Sequence, residues 1–301
     1  MRFIVNAALL ALAVLPGPLH ADSYPTRPVR VIIPFAAGGT FDLVGRVVAQ
    51  KLGELWGQQV VADNRPGGAT LIASELVAKS NPDGHTIYLS PNSLAANPSL
   101  HAKLPYAQRD LQPVVLVAAQ PMALGAHPTF KAKSIKELID MAKTAPGGLN
   151  YGTAGIDVVH ISYKGGNVAM IEVMANQINL VMTGLPNLLP QYKAGKLKIL
   201  AVTDGKRSAV AKEIPAISET VPGYEFRNWF GLIVARGTPA PLIRRINADV
   251  NRILDTGDTR QRLLDQGFEV IGGTTGEFDR VIREDTVKFA KVLKGAENRA
   301  N

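Results

Sequence analysis

The 301-residue chain carries 33 Lys and Arg against 25 Asp and Glu, is 46% hydrophobic and 19% charged, and has no cysteine. That length exceeds what one hydrophobic core usually organises, so two domains or lobes are expected; the composition excludes a disordered chain, and the missing thiols exclude disulfides, thiolate nucleophiles and cysteine-bound metal. The net charge of +8 is scattered, with no basic run or aromatic-interleaved stripe, so nucleic acid is not an expected partner.

Arg2 precedes an apolar run from Phe3 to Leu15, which breaks at Pro16-Gly17-Pro18 and ends at Leu19-His20-Ala21. Charge, apolar core and small residues in that order predict a secretory signal peptide over 1–21 and a mature chain starting near Asp22. The run is too short for a membrane-spanning helix, which takes about 20 residues.

Val29 to Phe35 is a short β-branched run ending in Ala36-Ala37-Gly38-Gly39 and predicts a buried strand. Asp42 to Trp56 then places Leu43, Val44, Val47, Val48, Leu52 and Leu55 at helical spacing, closed by Gly57. Val60-Val61 predicts a second strand. The turn Asn64-Arg65-Pro66-Gly67-Gly68 leads to a helix from Thr70 to Lys79, and Asn81-Pro82-Asp83-Gly84 turns into a strand from Thr86 to Leu89. This alternation predicts an α/β lobe with a largely parallel sheet, whose ligands sit at the carboxyl ends of the strands.

Val114 to Ala119 and Met122 to Ala126 read as two further strand-like runs. Ser134, with Glu137 three residues on, forms a capping box for a helix that ends at Pro146-Gly147-Gly148. Leu149 to Gly152, Val158 to Tyr163, Ile178 to Met182 and Leu197 to Thr203 predict strands, and Val168 to Asn176 and Leu188 to Ala194 predict helices. After a strand from Trp229 to Ala235, helices are expected over Pro241 to Leu254, Thr259 to Gln266 and Glu277 to Leu293. The order divides the mature chain into lobe one, 22–120 plus 229–301, and lobe two, 121–228. Crossings near Pro121 and Trp229 would let the lobes close on a ligand.

Pro34-Phe35-Ala36-Ala37-Gly38-Gly39-Thr40-Phe41-Asp42 is the most informative stretch. A glycine pair before a helix admits close approach of a ligand, while the first amides and the helix dipole favour a carboxylate or phosphate. The same residues also suit a plain strand-to-helix turn with Asp42 as cap. Asn64 to Gly68, Ser90 to Ser93 and Lys164-Gly165-Gly166-Asn167 are further loops with backbone donors and small polar side chains, each of which is also readable as an ordinary turn. No Walker lysine, G-x-G-x-x-G, G-x-S-x-G or H-E-x-x-H is present. His85, His101, His127 and His160 are isolated, so neither a catalytic base nor a metal site is expected from them.

From Tyr24 to Asp42 the chain resembles the amino-terminal motif of the Bug family, the extracytoplasmic solute-binding receptors of tripartite tricarboxylate transporters. Asn64-Arg65-Pro66-Gly67, Asn97-Pro98-Ser99-Leu100, Leu104-Pro105-Tyr106, Tyr163-Lys164-Gly165, Ala194-Gly195-Lys196-Leu197, Ala201-Val202-Thr203, Trp229-Phe230-Gly231 and Gly237-Thr238-Pro239-Ala240-Pro241 continue the resemblance in family order. It implies an α/β, two-lobed periplasmic-binding-protein (Venus-flytrap, type II) fold in the periplasm. It also implies a small carboxylate ligand, no catalysis, and handover to the integral-membrane permease subunits; no cofactor or metal is expected, and the chain is expected to be a monomer. Carried over by position, Phe35, Gly39, Thr40, Phe41, Asp42, Gly67, Gly68 and Asn92 would contact ligand from lobe one. Gly152, Thr153, Tyr163 and Gly184 would face them from lobe two.

One departure from the family pattern stands out. Gly152-Thr153-Ala154-Gly155-Ile156-Asp157 runs directly into Val158, where family members place a loop and a helix. A parallel crossover needs about a dozen residues, so a helix deletion in lobe two near 154–157 is expected. Three readings follow: a carboxylate receptor, a degenerate member with altered or lost binding, and an exported enzyme on the same scaffold, for which no acid/base pair is found.

Overall fold

The computed structural model describes residues 24–144 and 166–300, with side chains to residue 293. The strands are β1 (Val29–Ile33), β2 (Val60–Asn64), β3 (Thr86–Ser90), β4 (Leu111–Ala126), β5 (Leu180–Gly184), β6 (Lys198–Val202), β7 (Arg227–Ala235) and β8 (Glu269–Gly272). The helices are α1 (Thr40–Trp56), α2 (Leu71–Ala78), α3 (Ser93–Leu100), α4 (Ile135–Thr144), α5 (Gly166–Met174), α6 (Leu185–Lys193), α7 (Ala240–Leu254), α8 (Gly257–Asp265) and α9 (Thr275–Ala300). The expected strands Leu149 to Gly152 and Val158 to Tyr163, and the expected deletion near 154–157, lie outside the described residues.

β1 runs parallel to both β2 and β3, as the alternating strands and helices require. β7 then inserts antiparallel between β3 and β4, and β8 pairs antiparallel with β4 on its other side. Further along, the same β4 pairs through Met122–Ala126 with β5 and β6. One strand therefore belongs to two groups of partners, and the change falls between Pro121, opposite Arg227, and Met122, opposite Gly184.

The two runs expected at Val114–Ala119 and Met122–Ala126 are thus one strand of 16 residues. Proline has no N–H for a ladder and is tolerated in a strand only where pairing is interrupted. Pro113 sits at a register shift against β7, and Pro121 sits where β4 exchanges partners. Two elements differ from expectation by their presence. α3 forms despite Pro98, and β8 forms as a four-residue strand fixed by pairing with Leu116–Ala119.

Each group of strands carries apolar clusters on both faces, the layering of an α/β sheet. Alternation along β1 sends Val29, Val31 and Ile33 to the cluster under α1 and α7, and Ile32 to the opposite cluster with Tyr88, Trp229 and Phe278. Around β5 and β6, Val173 and Leu188 pack one face, while Leu138 of α4 packs the other. Half of the expected α4 capping box forms, with Ser134 Oγ accepting from Glu137 N–H at 3.1 Å, while the Glu137 carboxylate accepts from the N–H of Lys133, one residue before the cap, at 2.8 Å. Before the amino ends of β1 and β3, Tyr24 is buried and donates to Gly84 O at 2.7 Å, its ring edge-on to Trp56 and His85.

Candidate functional site

The parallel strands β1, β2 and β3 end together at Ile33, Asn64 and Ser90, so the segments 34–39, 65–70 and 91–92 meet at one edge of the sheet. The backbone ties the first two, with Arg65 N–H donating to Ile33 O at 2.7 Å and Asn64 Nδ2 to Phe35 O at 3.0 Å. Gly38 has φ +86, a conformation that side-chain-bearing residues rarely take, and this turns the chain into α1 with Gly39 as N-cap.

The turn is fastened by Asp42. Its Oδ2 accepts from Gly38 N–H and from Arg46 Nε, both at 2.9 Å. Burial alone would raise this carboxyl, but the hydrogen bonds from Arg46 and Gly38 outweigh it and hold the group below the usual carboxylate range. By helix geometry the first-turn amides of α1 have no acceptor inside the helix, and the dipole adds partial positive charge there.

The expected contact residues distribute as follows. Thr40 opens α1, and its Oγ1 accepts from Gln120 Nε2 at 3.1 Å. Phe41 is buried, its ring 4.7 Å from that of Phe35 and 4.2 Å from that of Phe230. Gly67 and Gly68 begin a run of four positive φ values that continues through Ala69 and Thr70. Two of those four are not glycine, a strained backbone of the kind that persists only where its surroundings enforce it. Thr70 Oγ1 lies 2.9 Å from Ser93 Oγ, which joins the second loop to the third. Asn92 is buried and donates to Arg227 O at 3.3 Å.

Gly184 is the N-cap of α6 and stands beside Gln120, so Thr40, Gln120 and Gly184 are brought together. Gly152, Thr153 and Tyr163 lie outside the described residues. From the α5 side, Asn167 reaches across, its Nδ2 3.5 Å from Ala37 O and its amide packed over Gly38 and Gly39. Asn167 falls in a loop marked by the sequence reading. Gln120, Arg46 and Thr183, which is buried with its hydroxyl accepting from Asn187, carry no motif of their own. Gln120 is a lone amide between two apolar runs, a pattern it shares with any exposed strand position.

The changeover is stitched by Thr203, which is fully buried. Its Oγ1 accepts from Met122 N–H at 2.9 Å and donates to Phe226 O at 2.6 Å, while Phe226 N–H returns to Thr203 O at 2.9 Å. Beside it, Arg227 binds Asp204 at 3.0 Å and also Glu269. Burial, only partly offset by Arg227, keeps the Asp204 carboxyl above its ordinary value.

Two α/β groups built on one shared strand, β4, with the amino end of α1 beside that of α6, define the class of two-lobed solute-binding proteins. The model of the tripartite tricarboxylate transporter family receptor (TctC) matches residues 44–297, and the chain belongs to that family, which includes the Bug proteins. The chain is 31% identical to a UPF0065 protein of Bordetella bronchiseptica, over 97% of this chain and 92% of that one. It is 29% identical to Protein BugT of Bordetella pertussis, over 96% and 95%. Among solved structures, a Rhodopseudomonas palustris protein with adipate superposes at TM-score 0.86 and 30% identity, covering 91% of this chain and 98% of that one. MatC from Rhodopseudomonas palustris with bound malate superposes at 0.85 and 27% identity, covering 90% and 100%. Among the described residues no helix is long and apolar enough to cross a membrane.

Proposed function

We propose that this chain is a periplasmic receptor that closes two lobes on a small carboxylate and delivers it to the permease subunits of a tripartite tricarboxylate transporter, without catalysis. The observation that carries the proposal is the junction of Thr40, Gln120 and Gly184. It sets the amino end of α1 against the amino end of α6, and two helix amino termini favour a negatively charged guest. Relatives of the same fold that hold adipate and malate support a carboxylate as that guest.

On this reading lobe one is 22–120 with 229–301 and lobe two is 121–228, a division supported by the exchange of partners along β4 at Pro121. Residues 1–21 are removed on export. Phe35, Gly39, Thr40, Phe41, Asp42, Gly67, Gly68 and Asn92 contact the acid from lobe one, facing Gly152, Thr153, Tyr163 and Gly184. The monomer is the working form.

Thermal melts of the mature chain with dicarboxylates, tricarboxylates, aromatic acids and acidic amino acids test the proposal. A ligand at a hundred times its Kd adds about 2.7 kcal/mol, which raises the melting temperature of a chain this size by roughly 5 °C or more. A melt unmoved by every acid would instead support the degenerate reading, in which binding is lost.

A further inference from the structure

Gln120 occupies the last β4 position before Pro121, opposite Asn228, and is fully buried. One of its two Nε2 hydrogens is donated to Thr40 Oγ1. Its Oε1 is sealed from solvent and has no hydrogen-bond partner among the described residues. A buried carbonyl without a donor is costly, and the β4 ladder is built from backbone groups, so an apolar side chain would serve the sheet at least as well. The room for this amide is provided by Gly184, where a Cβ would collide with Nε2 and lie 2.9 Å from Oε1.

The amide is therefore wedged between the first residue of α1 and the N-cap of α6. Thr40, which accepts from Gln120, keeps its own hydroxyl proton to donate toward a carboxylate. A carboxylate oxygen cannot satisfy Gln120 Oε1, because both are acceptors. Asp42 Oδ1, in the same first turn of α1, is a second buried acceptor with no partner among the described residues. Two enclosed acceptors beside the amino end of α1 would be satisfied by a guest that brings a donor beside its negative charge.

We infer that Gln120 sets specificity, its Oε1 accepting a hydrogen from a hydroxyl or ammonium on the carbon next to the bound carboxylate, so that 2-hydroxy and 2-amino acids are selected over unsubstituted ones. The inference rests on the carboxylate-receptor reading. Hydroxyl and ammonium share the donor chemistry, and matched ligands separate them.

The test is isothermal titration calorimetry of the mature chain with two matched sets: malate, aspartate and succinate, and 2-hydroxyadipate, 2-aminoadipate and adipate. In at least one set the hydroxy or amino acid is expected to bind about tenfold tighter than its unsubstituted partner, the size of one buried hydrogen bond. In Gln120→Met, with folding verified by its melt, that ratio is expected to fall toward one. Equal binding within the sets, or tighter binding of succinate and adipate, overturns the inference without any need of the variant. An amide turned to present Nε2 would produce the latter result. A preference that persists in folded Gln120→Met also overturns it. Acids that bind without such a preference overturn this inference alone, whereas a chain that binds no acid at all overturns the receptor reading with it.

Discussion

At Gly184 the backbone φ of −55° suits any residue, so it is space and not conformation that excludes a side chain. In Gly184→Ala the new Cβ would meet the Gln120 amide at a distance that real atoms do not hold, and the amide must leave Thr40. Forcing a methyl into a sealed space costs about 1–3 kcal/mol. Urea unfolding is expected to show that loss, with acid affinity falling in parallel. Gly276→Ala, in α9 with nothing within 4 Å, is the control expected to leave acid affinity unchanged and stability undiminished. Of the residues at this junction, sequence patterning marks Thr40, because it follows a glycine pair at a strand-to-helix turn. It cannot mark Gln120, since a single amide between apolar runs reads equally as an exposed strand position. Only the fold reveals that the residue is enclosed and half satisfied.

The β1–β2 pair and the start of α1 owe part of their stability to carboxylates held ionised. Asp63 accepts from Arg30 Nε at 3.0 Å and Arg65 Nε at 2.8 Å, and these contacts outweigh burial to lower its pKa. Asp42 is lowered in the same way by Arg46 and Gly38. A carboxyl with a depressed folded value adds stability that is complete above its unfolded value, about 3.9, and is lost as pH falls through the folded one. The melting temperature is therefore expected to hold from neutral pH to about pH 5 and to drop below about pH 4. Asp63→Asn should cost about 1 kcal/mol at neutral pH and make the acid limb shallower, as read by melts across that range. The elements that carry these groups are the ones most legible in the sequence: β1 and α1 have clean periodicity and glycine boundaries. By contrast, β4 hides behind Pro113 and Pro121, α3 behind Pro98, and β8 is too short to show a pattern. All three depend on partners far away in the chain.

For the whole molecule, the proposed closing motion turns on the few bonds that bridge β4, β6 and β7. Thr203→Val keeps the shape of that side chain but strands the Met122 N–H and the Phe226 carbonyl. A loss of about 1–3 kcal/mol in urea unfolding is expected, with Thr203→Ser recovering most of it. Recovery by serine separates the hydroxyl's role from that of mere bulk.

The place of β7 in the sheet also governs when the protein can assemble. It lies between β3 and β4, yet it is reached only at Arg227, after all of β5 and β6. Until those last residues emerge from the ribosome, β3 and β4 each keep a bare edge, and pairings of such long sequence separation form slowly. A nascent chain of this design cannot complete the sheet that joins β3, β7 and β4 early, so its window for remaining unfolded, and its exposure to aggregation, lasts through most of synthesis.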